Sequence, residues 1–302
     1  MCDLKKKYKE WKEWLFGDDV HSIRHQIASM IWDTAVFRVI NESRKYAQTD
    51  EEGNPKLNDM VHGFINHSFF ITQALAIRKL LDKETRQGYY SVFSLYRLID
   101  NMEQNSQLLT RENILDVLGY PYNYEEVQKK YYEVMRQKKS LGALANWKYS
   151  KIMHKNIDIL ACVKENNRNP NDTIKRECFH WIKKRLEKCH EIYKYVNKFV
   201  AHAATPESRD TIKAHEIKIT LGKLFDAHKI MCETAQFVGL NFLNQDLGNF
   251  LVIPQYDQFE HFEKPWVTES AIHQLRDYWQ EYYKETMSWK NWDWQNEFNE
   301  HA

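Results

Sequence analysis

Apolar residues recur every three or four positions along most of this chain, the spacing of amphipathic helices rather than of strands. The longest stripe runs through 173–206, where Ile174, Cys178, Ile182, Leu186, Cys189, Ile192, Val196 and Phe199 share one side. Charged residues from Lys175 to Lys194 occupy most of the remaining circumference. The pattern predicts a single helix of about 30 residues, capped by Asn171 or Asp172 and stopped by Pro206. A second stripe (Val20, Ile23, Ile27, Met30, Thr34, Phe37, Asn41) predicts a helix over 20–47 that turns polar at its end. Beyond the break TDEEGNP, Asn58 or Asp59 caps a helix through Leu81 that is apolar over most of its surface, and is predicted to be the central, most buried one.

Shorter helices are predicted over 89–104, in LLTRENILDVLG ending at Gly119, and once or twice over the tyrosine-rich stretch 124–166, with a break near 140–142. Thr220 caps a further helix whose face carries Leu221, Leu224, Phe225, His228, Met231, Ala235, Val238 and Phe242. Nine glycines and six prolines are few for 302 residues, and a hydrophobic fraction of 43% suffices for a sizeable core. The predicted fold is therefore all-α. Its organisation reads as a leader over 1–19, a helical core over 20–250 with an inserted segment at about 120–166, and a C-terminal extension over 251–302. That extension holds Trp266, Trp279, Trp289, Trp292 and Trp294, half of the ten tryptophans.

Charge changes the picture little: 43 basic residues face 42 acidic ones, which argues against a strongly cationic nucleic-acid sleeve. The five cysteines form no CxxC pair, and Cys178 and Cys189 sit on an apolar stripe as small hydrophobes. Together with the lack of a signal-peptide core or a run of ~20 apolar residues, this predicts a cytoplasmic protein with no membrane association.

Candidate chemistry gathers at two positions. His202 falls near the C-terminal end of the long helix, where the macrodipole favours the imidazolium by roughly 0.3–1 kcal/mol; it either closes the helix end or serves as an acid or base near neutrality. Arg78 lies on the apolar side of the 59–81 helix, so it is either a strut paired with Asp82 or Asp100 or an anion-binding group. His21 and His25 have i, i+4 spacing but no third ligand fixed by pattern, and no metal or cofactor motif occurs.

The phrase Asn197-Lys198-Phe199-Val200-Ala201-His202 resembles the signature of HEPN domains, and the chain is most similar to their abortive-infection AbiU-type branch. VFRVINESR, FFITQALAIRKLLDK, SVFSLYRLID and ITLGKLFDAHKIMCETAQF extend the resemblance phrase by phrase from about residue 30 to 243. The resemblance implies an antiparallel helical bundle that works as a homodimer in bacterial phage defence or a toxin–antitoxin pair. In members with the full signature, paired Arg and His residues form a metal-independent ribonuclease site at the dimer cleft. Here His202 and Asn197 match, but the Arg position is Val196. Lys198, Arg78 or Arg97 would then have to supply the phosphate contact. Two functions follow: binding of RNA, a nucleotide or a protein partner such as a cognate antitoxin, which the missing Arg favours, or cleavage by His202 with a substitute Arg.

Overall fold

The computed structural model describes residues 2–54, 56–83, 92–137, 142–201, 205–209, 218–251, 253–264 and 266–289. Among them the fold is all-α, with no strand; the nearest approaches to one are isolated bridge residues, such as the antiparallel pair Thr110 and Thr173. The chain divides into two compact units, 1–252 and 253–302.

The first unit is a helical bundle. The leader is part of it: α1 (Cys2–Phe16) buries Leu4, Tyr8, Trp11, Trp14 and Leu15. Its lysines fill the outer face, and their density in the sequence masked the inner stripe. Tyr8 Oη donates to the carbonyl of Phe242 at 2.6 Å, and burial pushes that phenol well above its usual range. Trp11 Nε1 donates to Asn101 Oδ1 at 2.9 Å.

Helix α2 (Ile23–Ser43) and α3 (Asp59–Leu80) form a hairpin, and the expected cap of α3 is present, Asn58 accepting from the Val61 amide at 3.0 Å. The core ends part-way along this pair, at the stacked rings of Phe37 and Phe69, 3.8 Å between centroids. Met60 and Phe64, in the first half of α3, are 62% and 72% exposed, so α3 is not the most buried helix. Its apolar circumference reaches past the core instead of lying within it.

After α4 (Leu95–Gln104), α5 (Arg111–Leu118) ends where predicted, on Gly119 at φ 69°. A side chain there would strain the left-handed turn. Helices α6 (Tyr124–Arg136) and α7 (Trp147–Ala161) follow; the predicted break between them lies largely outside the described residues. The predicted single helix over 173–206 is instead α8 (Arg176–Glu187), a turn, α9 (His190–Tyr195) and one π turn (Val196–Val200). Asp172 does not cap it: its carboxylate accepts from Arg111 Nε at 3.0 Å, and α8 starts after Lys175. Pro206 does not end a helix but begins the four-residue α10 (Pro206–Arg209).

The centre belongs to α11 (Leu221–Phe242), which buries Leu224, Ala227, His228, Met231, Ala235, Val238 and Phe242 and packs on α2, α3, α4, α7 and α8. At Gly239 a Cβ would stand 2.5 Å from the Gln245 carbonyl, so the chain can fold back there only over a glycine.

The second unit contains a 3₁₀ turn (Glu269–Ala271) and α12 (Ile272–Ser288). None of its described residues is buried; Trp266, Trp279 and Trp289 are exposed, and Trp292 and Trp294 lie outside the described residues. No helix among the described residues is long and apolar enough to cross a membrane.

Candidate functional site

The signature-like phrase does not continue as α-helix. From Val196 to Val200 the backbone forms a π turn, closed by the Ala201 amide on the Val196 carbonyl at 2.7 Å. Such turns carry one residue more per turn than an α-helix and recur at functional sites. Val196, at the position where the resembled signature has Arg, is fully buried and faces the core of this chain. A guanidinium there would sit in apolar surroundings with no counter-charge, at a cost of several kcal/mol.

Arg78 approaches from α3 instead. Its Nε donates to Asn197 Oδ1 at 3.2 Å, and Nη1 stands 3.3 Å from Asp82 Oδ2. The guanidinium carbon lies 5.9 Å from the centre of the Tyr193 ring, within range of a cation–π contact. The side chain is 29% exposed, and Nη2 has no partner among the described residues. Of the two carboxylates expected to meet it, Asp82 does so and Asp100 is engaged by Lys183.

The other predicted residues scatter. Lys198 Nζ donates to Ser208 Oγ on α10 at 2.6 Å rather than joining Arg78. Arg97 stacks on Trp14, its carbon 4.5 Å from the ring centre, and Nη1 donates to the Val92 carbonyl at 2.6 Å, in a groove that no residue of the π turn lines. His202 lies outside the described residues. His25 is spent locally, its Nδ1 bonded to Ser22 Oγ and the Asp19 carbonyl, and among the described residues no cluster of His, Cys, Asp and Glu could hold a metal.

Two further residues lie on the same face: Tyr193, which no motif marks, and His190, whose spacing in the sequence fits no ligand pattern. His190, Tyr193 and Asn197 stand at i, i+3 and i+7, and the His190 and Tyr193 rings stack with centroids 5.6 Å apart. Burial, and then the ammonium groups of Lys194 and Lys83, hold the His190 imidazole below its ordinary pKa. The face that Arg78 joins thus sets Arg78, Lys83 and Lys194 against Asp82 and Glu187 beside two stacked rings, a surplus of one cation that suits an anion carrying a flat ring. Helical spacing from Asn197 back to His190 was the available signal.

No protein-family model matches this chain, and no similar curated protein or solved structure is found for it.

Proposed function

We propose that this chain is a HEPN-like bacterial protein of defence or toxin–antitoxin type that binds RNA where α3 meets the π turn, Arg78 gripping phosphate in place of the Arg missing at Val196. The observation that carries this is the Arg78 Nε to Asn197 Oδ1 hydrogen bond at 3.2 Å. It joins an arginine from a neighbouring helix to the polar residue of the signature-like phrase. Nη2, without a partner among the described residues, leaves two further N–H donors of the kind that bind phosphate oxygens with charge-assisted bonds. A homodimer, a cytoplasmic setting and a cognate protein partner belong to the same proposal.

The same contact supports a second reading, cleavage. His202 would take the proton of the RNA 2′-OH as that oxygen attacks the adjacent phosphorus, and would return it to the leaving 5′-oxygen as the P–O5′ bond breaks. Arg78 would hold the phosphate as charge builds on it.

Binding of short single-stranded RNA by the full chain, with cleavage followed in EDTA, tests both. The expected result is binding weakened about ten-fold or more by Arg78→Gln, a loss of about 1.4 kcal/mol, and left intact by His202→Ala. RNA bound but not cut establishes the binding role. Cutting that persists in EDTA and is lost in both variants establishes the ribonuclease. RNA neither bound nor cut, or cutting indifferent to both changes, overturns the proposal.

A further inference from the structure

The groove between α1 and α4 has no part in the site above, and we propose that it binds a nucleoside monophosphate. The two helices run antiparallel: Trp11 bonds Asn101, while Trp14, one turn further along α1, lies against Arg97, one turn back along α4. The space between and above them measures about 770 Å³, within the roughly 300–1,000 Å³ of small-molecule sites.

Arg97 is held as a phosphate ligand needs to be. The Trp14 ring supports one face of its guanidinium at 4.5 Å, and the Val92 carbonyl fixes Nη1 at 2.6 Å. No carboxylate lies within ion-pair range of it among the described residues. The acids that line the groove are already engaged: Asp100 by Lys183 and Gln104, and Glu10 by Lys7 at 2.9 Å. Arg97 and Lys6 are therefore the groove's cations without a carboxylate partner among the described residues. A rigid guanidinium with unused N–H groups suits the oxygens of a terminal phosphate.

Lys6 marks the other end, eight residues and about 12 Å along the helix axis from Trp14. Between the two ends the lining includes the amides of Gln104, Asn105 and Gln107. Amides both donate and accept, as the edge of a nucleobase requires. At the Trp14 end Arg97 is the unpaired cation among the described residues, enough for a single phosphate but not for a polyphosphate or a continuing RNA strand. Hence the assignment to a monophosphate.

Isothermal titration of the full chain with AMP, GMP, CMP and UMP, then with the matching nucleoside and with inorganic phosphate, tests the assignment. At least one nucleotide should bind, about ten-fold or more tighter than its nucleoside or phosphate alone. Arg97→Gln should weaken it about ten-fold and exposed Lys6→Ala several-fold, while exposed Lys229→Ala, outside the groove, leaves it unchanged. Should Arg97→Gln fail to fold, Lys6→Ala and the nucleoside comparison decide the matter. No heat from any of the four at millimolar concentration, binding indifferent to both groove variants, or phosphate binding as tightly as the nucleotide overturns it.

Discussion

Two arginines of this protein meet nearly the same kinds of partner and come to opposite ends. Arg111 is fully buried. Its Nε and Nη2 reach Asp172, Nη2 also reaches Asp158 at 2.8 Å, and Nη1 meets the His154 carbonyl and ring nitrogen at 3.2 and 3.0 Å. Arg168 completes the cluster from the far side of Asp158, and the Arg111 amide bonds the Asp172 carbonyl at 2.8 Å. Helix α5, helix α7 and the loop leading to α8 are thereby fastened at one point. Arg78 has one amide and one carboxylate, is 29% exposed with Nη2 unpartnered among the described residues, and lies at the end of a helix. A guanidinium whose donors are all engaged inside the protein can only be structural, whereas one with donors to spare at a surface can bind something. The difference lies in how many donors are engaged and how deep the group sits, not in residue type.

The largest test of that contrast is Arg111→Ala, which strands Asp172 near the interior and leaves Asp158 with Arg168 alone, and should cost about 3–5 kcal/mol in chemical denaturation. A cost below 1 kcal/mol would remove the strut. Acid comes next. Burial pushes the His228 imidazole down to about 4, and His154, beside Arg111, is lowered first by burial and then by the Arg111 and Arg168 charges. The unfolded chain takes up these protons first, near pH 6.5, so stability is complete above that value and is lost as pH falls toward 4. His228 alone should contribute a loss of up to about 3 kcal/mol. His228→Asn and His154→Gln should flatten the profile, and an unchanged slope in both would contradict the burial. Smallest is Arg78→Met: with one half-exposed ion pair and one amide lost, the unfolding free energy should move by no more than about 1 kcal/mol. A loss near that of Arg111→Ala would make Arg78 a second strut and remove it from the binding face.

The helices were legible because their caps and apolar spacing are local. Asn58, Thr220 and Gly119 stand where sequence alone puts them. Which helix lies at the centre was not legible, since α3 and α11 are similarly apolar and only packing distinguishes them. The Arg111 cluster left no trace either: Arg111, Asp158 and Asp172 are 47 and 61 residues apart in the chain, with no spacing rule to join them. For the site, helical spacing placed Arg78 on an inward side and resemblance singled out Asn197, but their meeting spans 119 residues. Arg97 went elsewhere because Trp14, in a segment read as a leader, draws it to α1.

The bond from Tyr8 to the Phe242 carbonyl also bears on how the protein is made, because its ends are 234 residues apart in sequence. At translation rates of about 5–20 residues per second, α1 leaves the ribosome roughly 12–45 seconds before the end of α11 exists to receive it. Tyr8 and Leu15 spend that interval without their final neighbours on α11. Helix α1 completes its packing only after α11 has been made, and closure of this 234-residue loop is a step where a ribosome-associated chaperone would have much to shield.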